Sequence, residues 1–210
     1  MSATAHPVFT IGHSNHSLDT FVGLLSKHGV DQVIDVRSSP YSRYAPHFNY
    51  DILDAGLCRS GIGYESLGGV LGGRPAELSC YDSDGRVQYD VVARMDSFDD
   101  GIRAVIHRAE ESTLSLMCSE KDPLECHRTL LVARALVNRN ISVQHILAEG
   151  HLESHDDAMR RLTDQFKLPH RGDMFRSPED VISEAVARKA KKISHVVEKA
   201  LTAHDPAGIF

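Results

Sequence analysis

Thr113-Leu114-Ser115-Leu116-Met117-Cys118-Ser119-Glu120-Lys121-Asp122-Pro123-Leu124-Glu125-Cys126-His127-Arg128 carries a strand, a reactive loop and the start of a helix in one line. The apolar run through Met117 is of the kind that strands buried on both faces show in parallel sheets. Beyond it the chain opens into a loop holding two thiols, three carboxylates, an imidazole and a guanidinium. A packed core needs no such density of reactive groups. An apolar pattern at helical spacing then covers His127 to Asn138. In open α/β sheets, ligands bind in loops at the carboxyl ends of strands.

The same alternation extends in both directions. Val8 to Ile11 reads as a first strand ending at Gly12, and Gln32 to Val36 as a second. Between them Ser17 fits a helix N-cap and Gly29 a C-cap, with Leu18, Phe21, Val22, Leu24 and Leu25 as the apolar stripe. Tyr50 to Arg59 and Val91 to Glu111 read as helices, Gly63 to Leu67 and Ser142 to Leu147 as strands. Gly68 to Gly85, rich in Gly, Pro, Ser and Asp, predicts a long surface loop. The fold class expected is α/β: a doubly wound, mostly parallel sheet with helices on both faces over residues 1–150. A helical C-terminal extension, 151–210, would pack on that domain or on a partner. It has a strong helix start at Ser177-Pro178-Glu179-Asp180, and Ile182, Val186, Ile193, Val197 and Leu201 follow at near-helical spacing.

With 210 residues and ordinary apolar content, the chain is expected to be one globular domain with an appendage. Met1 to Pro7 lacks a basic-then-apolar signal pattern, and no apolar run reaches the length of a membrane span. A cytoplasmic protein without a membrane partner is the expectation. The cysteines at 58, 80, 118 and 126 then read as thiols rather than disulfides. The net charge of −6 argues against a protein that coats nucleic acid non-specifically. The 13 histidines are scattered and form no metal-binding tract.

Three polar clusters fall at predicted strand ends. If the strands are parallel, all three face one edge of the sheet. In the first, Gly12, His13 and Ser14 could bring backbone N–H groups and a hydroxyl to an anion, or serve only as a glycine turn. In the second, Asp35 could act in catalysis or merely pair with Arg37. Arg37 and Arg43 suit phosphate or carboxylate, with Ser39 beside them and Tyr44 placed to stack on a base. Arg74, in the turn Leu71-Gly72-Gly73-Arg74-Pro75, could reach the same place. In the third, Glu120 and Cys118 are the candidate reactive groups, and Cys126, His127 and Arg128 would shape the pocket. Where a phosphatase- or rhodanese-type loop would carry its anion-binding arginine, this chain has Leu124. The separation of Cys118 from Cys126 exceeds the usual spacing of paired zinc cysteines, so neither metal ligands nor a cofactor are expected.

Taken in order, Thr10-Ile11-Gly12-His13-Ser14, Asp35-Val36-Arg37-Ser38-Ser39-Pro40 with Ser42-Arg43, Tyr64, Leu71-Gly72-Gly73-Arg74, Cys118-Ser119-Glu120 and Cys126-His127-Arg128 resemble the DUF488 family, a domain of unknown function. The resemblance spans roughly residues 8 to 147 and implies an α/β fold with a shared polar site, without an activity. From the residues, the leading expectation is an enzyme acting on a nucleotide or nucleic-acid base, most concretely an N-glycosidic hydrolase of the DNA-glycosylase kind. The alternatives are a thiol- or metal-dependent enzyme using Cys118, Cys126 and His127, and a non-catalytic module that binds a nucleotide or nucleic acid. A homo-oligomer through the C-terminal helix is a further possibility, as is a nucleic-acid contact through its run Arg188, Lys189, Lys191 and Lys192.

Overall fold

The computed structural model describes residues 6–171 and 175–197. Its centre is a six-stranded sheet in the order β3-β2-β4-β1-β5-β6. The strands are β1 (Val8–Gly12), β2 (Gln32–Asp35), β3 (Gly63–Ser66), β4 (Leu114–Cys118), β5 (Val143–Ile146) and β6 (Leu152–Ser154). All pairings from β3 to β5 are parallel, and β6 joins β5 antiparallel. The continuous apolar runs of β1 and β4 have their reason here. Both strands lie inside the sheet, covered on both faces, and every residue of each is buried.

Helices α1 (Leu18–Lys27) and α2 (Tyr50–Arg59) cover one face. Phe21, Leu25, Leu53 and Leu57 pack there on Phe9, Ile11, Val33 and Met117. The other face carries short α3 (Gly68–Leu71) and α4 (Tyr89–Val92), then α5 (Asp96–Glu111). A π-helical turn over Arg128–Ala133 runs directly into α6 (Arg134–Val137). Phe98, Ile102, Val105, Leu130 and Leu131 meet Val8, Ile34, Leu114, Leu116 and Val143 on that face. Ser17 caps α1 as expected, accepting from Thr20 N–H at 3.1 Å, and Gly29 takes up the left-handed conformation just past the helix.

The chain after residue 150, expected as a helical extension on the domain or a partner, packs on the domain and includes a strand. β6 lies beyond residue 150 yet completes the sheet, and α7 (His155–Gln165) packs against β5. α8 (Pro178–Ile193) begins in a full capping box made by Ser177 and Asp180. It buries Val181, Ala185 and Val186 on its own domain, so its apolar stripe is spent within the chain. Much of its basic run is spent there too: Arg188 pairs with Glu184, Lys189 with Glu125, and Lys192 lies over the Phe166 ring. The helix ends at Ile193, short of Val197, and Leu201 lies outside the described residues. The expected loop 68–85 contains α3 and a 3₁₀ turn at Leu78–Cys80, and the expected helix over 91–111 is broken between α4 and α5. Among the described residues no helix is long and apolar enough to cross a membrane.

Candidate active site

Strands β2, β4 and β1 are neighbours in the sheet and parallel, so their carboxyl ends share one edge. The three polar clusters therefore do meet. A cleft of about 580 Å³ opens above them. Arg37, Ser39, Arg43, Tyr44 and Arg74 stand on its walls, and Cys118, Glu120, Cys126 and His127 form its floor.

The floor is built by a loop that folds back on itself. Asp122 caps the 3₁₀ turn Pro123–Glu125, accepting from Leu124 N–H at 2.9 Å. Arg161 of α7 clamps the same carboxylate with two bonds of 2.9 Å. Asp122 is thus a fastener of the loop, and Glu125 is tied to Lys189 of α8. The fold-back returns Cys126 to Cys118 with His127 between them. Each sulfur lies 3.8 Å from His127 Nδ1. His127 Nε2 donates to the Val36 carbonyl at 2.9 Å, which leaves Nδ1 as the nitrogen facing the sulfurs. Gly73 lies flat against this ring, where an added Cβ would stand 2.9 Å from Cγ. The donor atoms of Cys118, Cys126 and His127 all lie within 4.8 Å of one another, so folding removes the separation that set them apart in the sequence.

Electrostatics divide the two thiols. Cys118 is pushed well above its ordinary value by its hydrogen bond to Cys126 and by burial. Burial opposes ionisation of Cys126 as well, but the Cys118 thiol, Arg128 and His127 outweigh it and hold Cys126 well below the ordinary thiol range. His127 is raised: burial works against its charge, and the Cys126 thiolate more than compensates. Burial, then the neighbouring Cys126, lifts the Glu120 carboxyl. Its Oε2 has no hydrogen-bond partner among the described residues.

Some expected site residues stand beneath the cleft instead of in it. Asp35 is fully buried and saturated: it accepts from Arg37 Nε at 3.0 Å, Arg37 Nη2 at 2.6 Å, Arg37 N–H at 2.9 Å and Tyr64 OH at 2.7 Å. It does not line the cleft, and it serves by aiming Arg37, whose Nη2 also donates to the Phe48 carbonyl at 2.9 Å. The expected anion-binding turn is likewise spent. His13 N–H donates to the Cys118 carbonyl at 2.8 Å and Ser14 N–H to that of Ser119 at 2.9 Å. The His13 ring stacks on Phe48, and burial lowers its pKa to about 4. Gly12 allows this closeness, since a Cβ there would fall 1.8 Å from the Glu120 carbonyl oxygen. Arg128 is fully buried and donates to the carbonyls of Glu120 at 2.8 Å and Lys121 at 3.5 Å, holding the loop from below. Gly12, His13, Ser14, Asp35 and Arg128 thus support the site, and none of them lines the cleft.

Sequence reasoning missed Tyr89, Ile193 and His195, which line the cleft from the far side. His195 arrives because its carbonyl accepts from Val87 N–H at 3.0 Å and Val196 bridges to Arg86, bringing the end of α8 against the long loop. No spacing in the sequence encodes that return. The pairing of Glu125 with Lys189 ties α8 to the cleft loop.

A family model described as "Domain of unknown function DUF488" matches residues 17–135. No curated protein and no solved structure matches the chain.

Proposed function

The chain belongs to the DUF488 family, whose description assigns no chemistry, and from the cleft we propose that it is an enzyme hydrolysing an N-glycosidic bond in a nucleotide or nucleic acid. One observation carries this reading above the others: a carboxyl oxygen of Glu120, buried and without a partner among the described residues, at the floor of a cleft walled by Arg37, Arg43 and Arg74. Guanidinium groups hold phosphate oxygens in bidentate fashion. Tyr41 and Tyr44 stand at the rim, 56% and 83% exposed, with the Arg43 guanidinium over the Tyr44 ring. Such an aromatic rim is suited to stacking a base.

In the reaction, the base leaves with the electron pair of its bond to the sugar. Water supplies the hydroxyl that replaces it on the sugar carbon, and the proton left over goes to the departing base. Glu120 activates that water or stabilises the cationic sugar as the bond breaks. Cys126 and His127 shape the floor beside it.

The test is base release. Wild-type protein is incubated with single- and double-stranded oligonucleotides and with nucleotides carrying normal, damaged and modified bases, and free base is sought by mass spectrometry. Release that scales with enzyme concentration supports the reading. Tight binding of the same substrates without release identifies a binding module and rejects it.

A further inference from the structure

Three donor atoms at the floor of the cleft stand in the arrangement of a metal site. Cys118 Sγ, Cys126 Sγ and His127 Nδ1 lie within 4.8 Å of one another, and each sulfur is 3.8 Å from the nitrogen. Ligands at about 2.0 to 2.3 Å from a tetrahedral zinc ion sit at nearly that mutual separation. The imidazole is already oriented: its Nε2–H is held by the Val36 carbonyl, so Nδ1 is the nitrogen turned to the side where the sulfurs are. Metal-bound histidines are fixed in this way by a partner on their other nitrogen. Arg128 below spends its guanidinium on the carbonyls of Glu120 and Lys121. The two buried sulfurs and the imidazole nitrogen thus face one another at the cleft floor.

We infer that Cys118, Cys126 and His127 bind a single thiophilic divalent ion of the zinc class, with its fourth position turned toward the cleft, where Glu120 stands. Two thiolates and an imidazole select zinc over magnesium or calcium, which prefer oxygen. As the metal bonds form, the Cys118 thiol releases its proton and the Cys126–His127 pair releases the one it holds, so binding acidifies an unbuffered solution. Three protein ligands with an open position characterise zinc sites that activate water. Metal binding goes beyond the N-glycosidic reading, and either can hold without the other.

The experiment uses the full chain, purified under reducing conditions, stripped with a chelator and titrated with zinc or cobalt. Expected are one ion per chain by elemental mass spectrometry, a thiolate-to-cobalt charge-transfer absorption in the near ultraviolet and the visible bands of tetrahedral cobalt. Cys118→Ser, Cys126→Ser and His127→Ala should each weaken zinc binding by about a hundredfold or more, beyond the loss that outer partners cause. Cys58→Ser, at an exposed thiol away from the cleft, should leave stoichiometry and spectrum unchanged. Glu120→Gln should still bind the ion, so loss of base release in that variant speaks to the reaction and not to the metal. A reduced wild-type chain that takes up no cobalt with thiolate absorption overturns the inference whether or not the variants fold. So does zinc uptake that survives loss of both Cys118 and Cys126.

Discussion

Lowering the pH should loosen this fold through a buried pair of histidines that do not line the cleft. His145 of β5 and His155 at the start of α7 face each other, with His145 Nε2 3.3 Å from His155 Nδ1 and His145 Nδ1 2.8 Å from Thr10 Oγ1. Both rings are buried. Burial lowers His155 from 6.5 to about 4, and burial followed by the neighbouring His155 holds His145 well below its ordinary value. The folded pKa lies below the unfolded one, so on acidification the unfolded chain takes up the proton first. The stability these groups confer is complete above the unfolded pKa and is lost as pH falls toward the folded one. For His155 alone, going from about pH 7 to about pH 5 costs about 2 kcal/mol, rising to about 3 kcal/mol near pH 4. His145 steepens the same slope. The assay is urea unfolding across this range at constant ionic strength, followed by circular dichroism because the chain has no tryptophan. His155→Gln should unfold with a pH slope flatter by about 2 kcal/mol over the same two units. An equal slope in wild type and variant refutes the reasoning.

Other positions offer sharper structural tests. Gly12→Ala places a methyl 1.8 Å from the Glu120 carbonyl oxygen, which neither strand nor loop can absorb in place. It should cost about 1–3 kcal/mol or more in urea unfolding. Asp35→Asn leaves the Arg37 guanidinium buried without its counter-charge and should cost about 3–5 kcal/mol, measured the same way. Arg43 touches only Tyr44 among the described residues in the bonds the fold supplies, so Arg43→Ala should leave stability within about 0.5 kcal/mol of wild type. On a substrate found by base release it should instead raise KM roughly ten- to hundredfold, with a weaker salt dependence.

Much of the fold was legible because the strands are doubly buried. The apolar runs at Val8–Ile11, Gln32–Val36 and Thr113–Met117 read as doubly buried strands of a parallel sheet, and with those strands adjacent the loops after Gly12, Asp35 and Cys118 converge. β6 was not legible. It is a three-residue edge strand with no apolar alternation, defined by its pairing with β5. The three clusters do converge at one sheet edge, but how their parts are arranged was not legible. A sequence does not distinguish an Arg37 aimed by a buried Asp35 from two independent charged groups. Nor does it show that Arg128 points down into the loop's carbonyls. The Cys118–Cys126 separation hid their proximity for the same reason: a strand end and a capped 3₁₀ turn bring distant residues together. His195 reaches the cleft only through pairing of α8's trailing segment with the long loop, which leaves no periodic trace.

The central claim is that Glu120, at the floor of an arginine-walled cleft, takes part in breaking an N-glycosidic bond. Its most direct test is the single-turnover rate of base release by wild type and by Glu120→Gln on the same saturating substrate, with folding of both checked by urea unfolding. The account predicts equal stability within about 1 kcal/mol and a rate lower by about a hundredfold or more in the variant. Release by Glu120→Gln at the wild-type rate would contradict it.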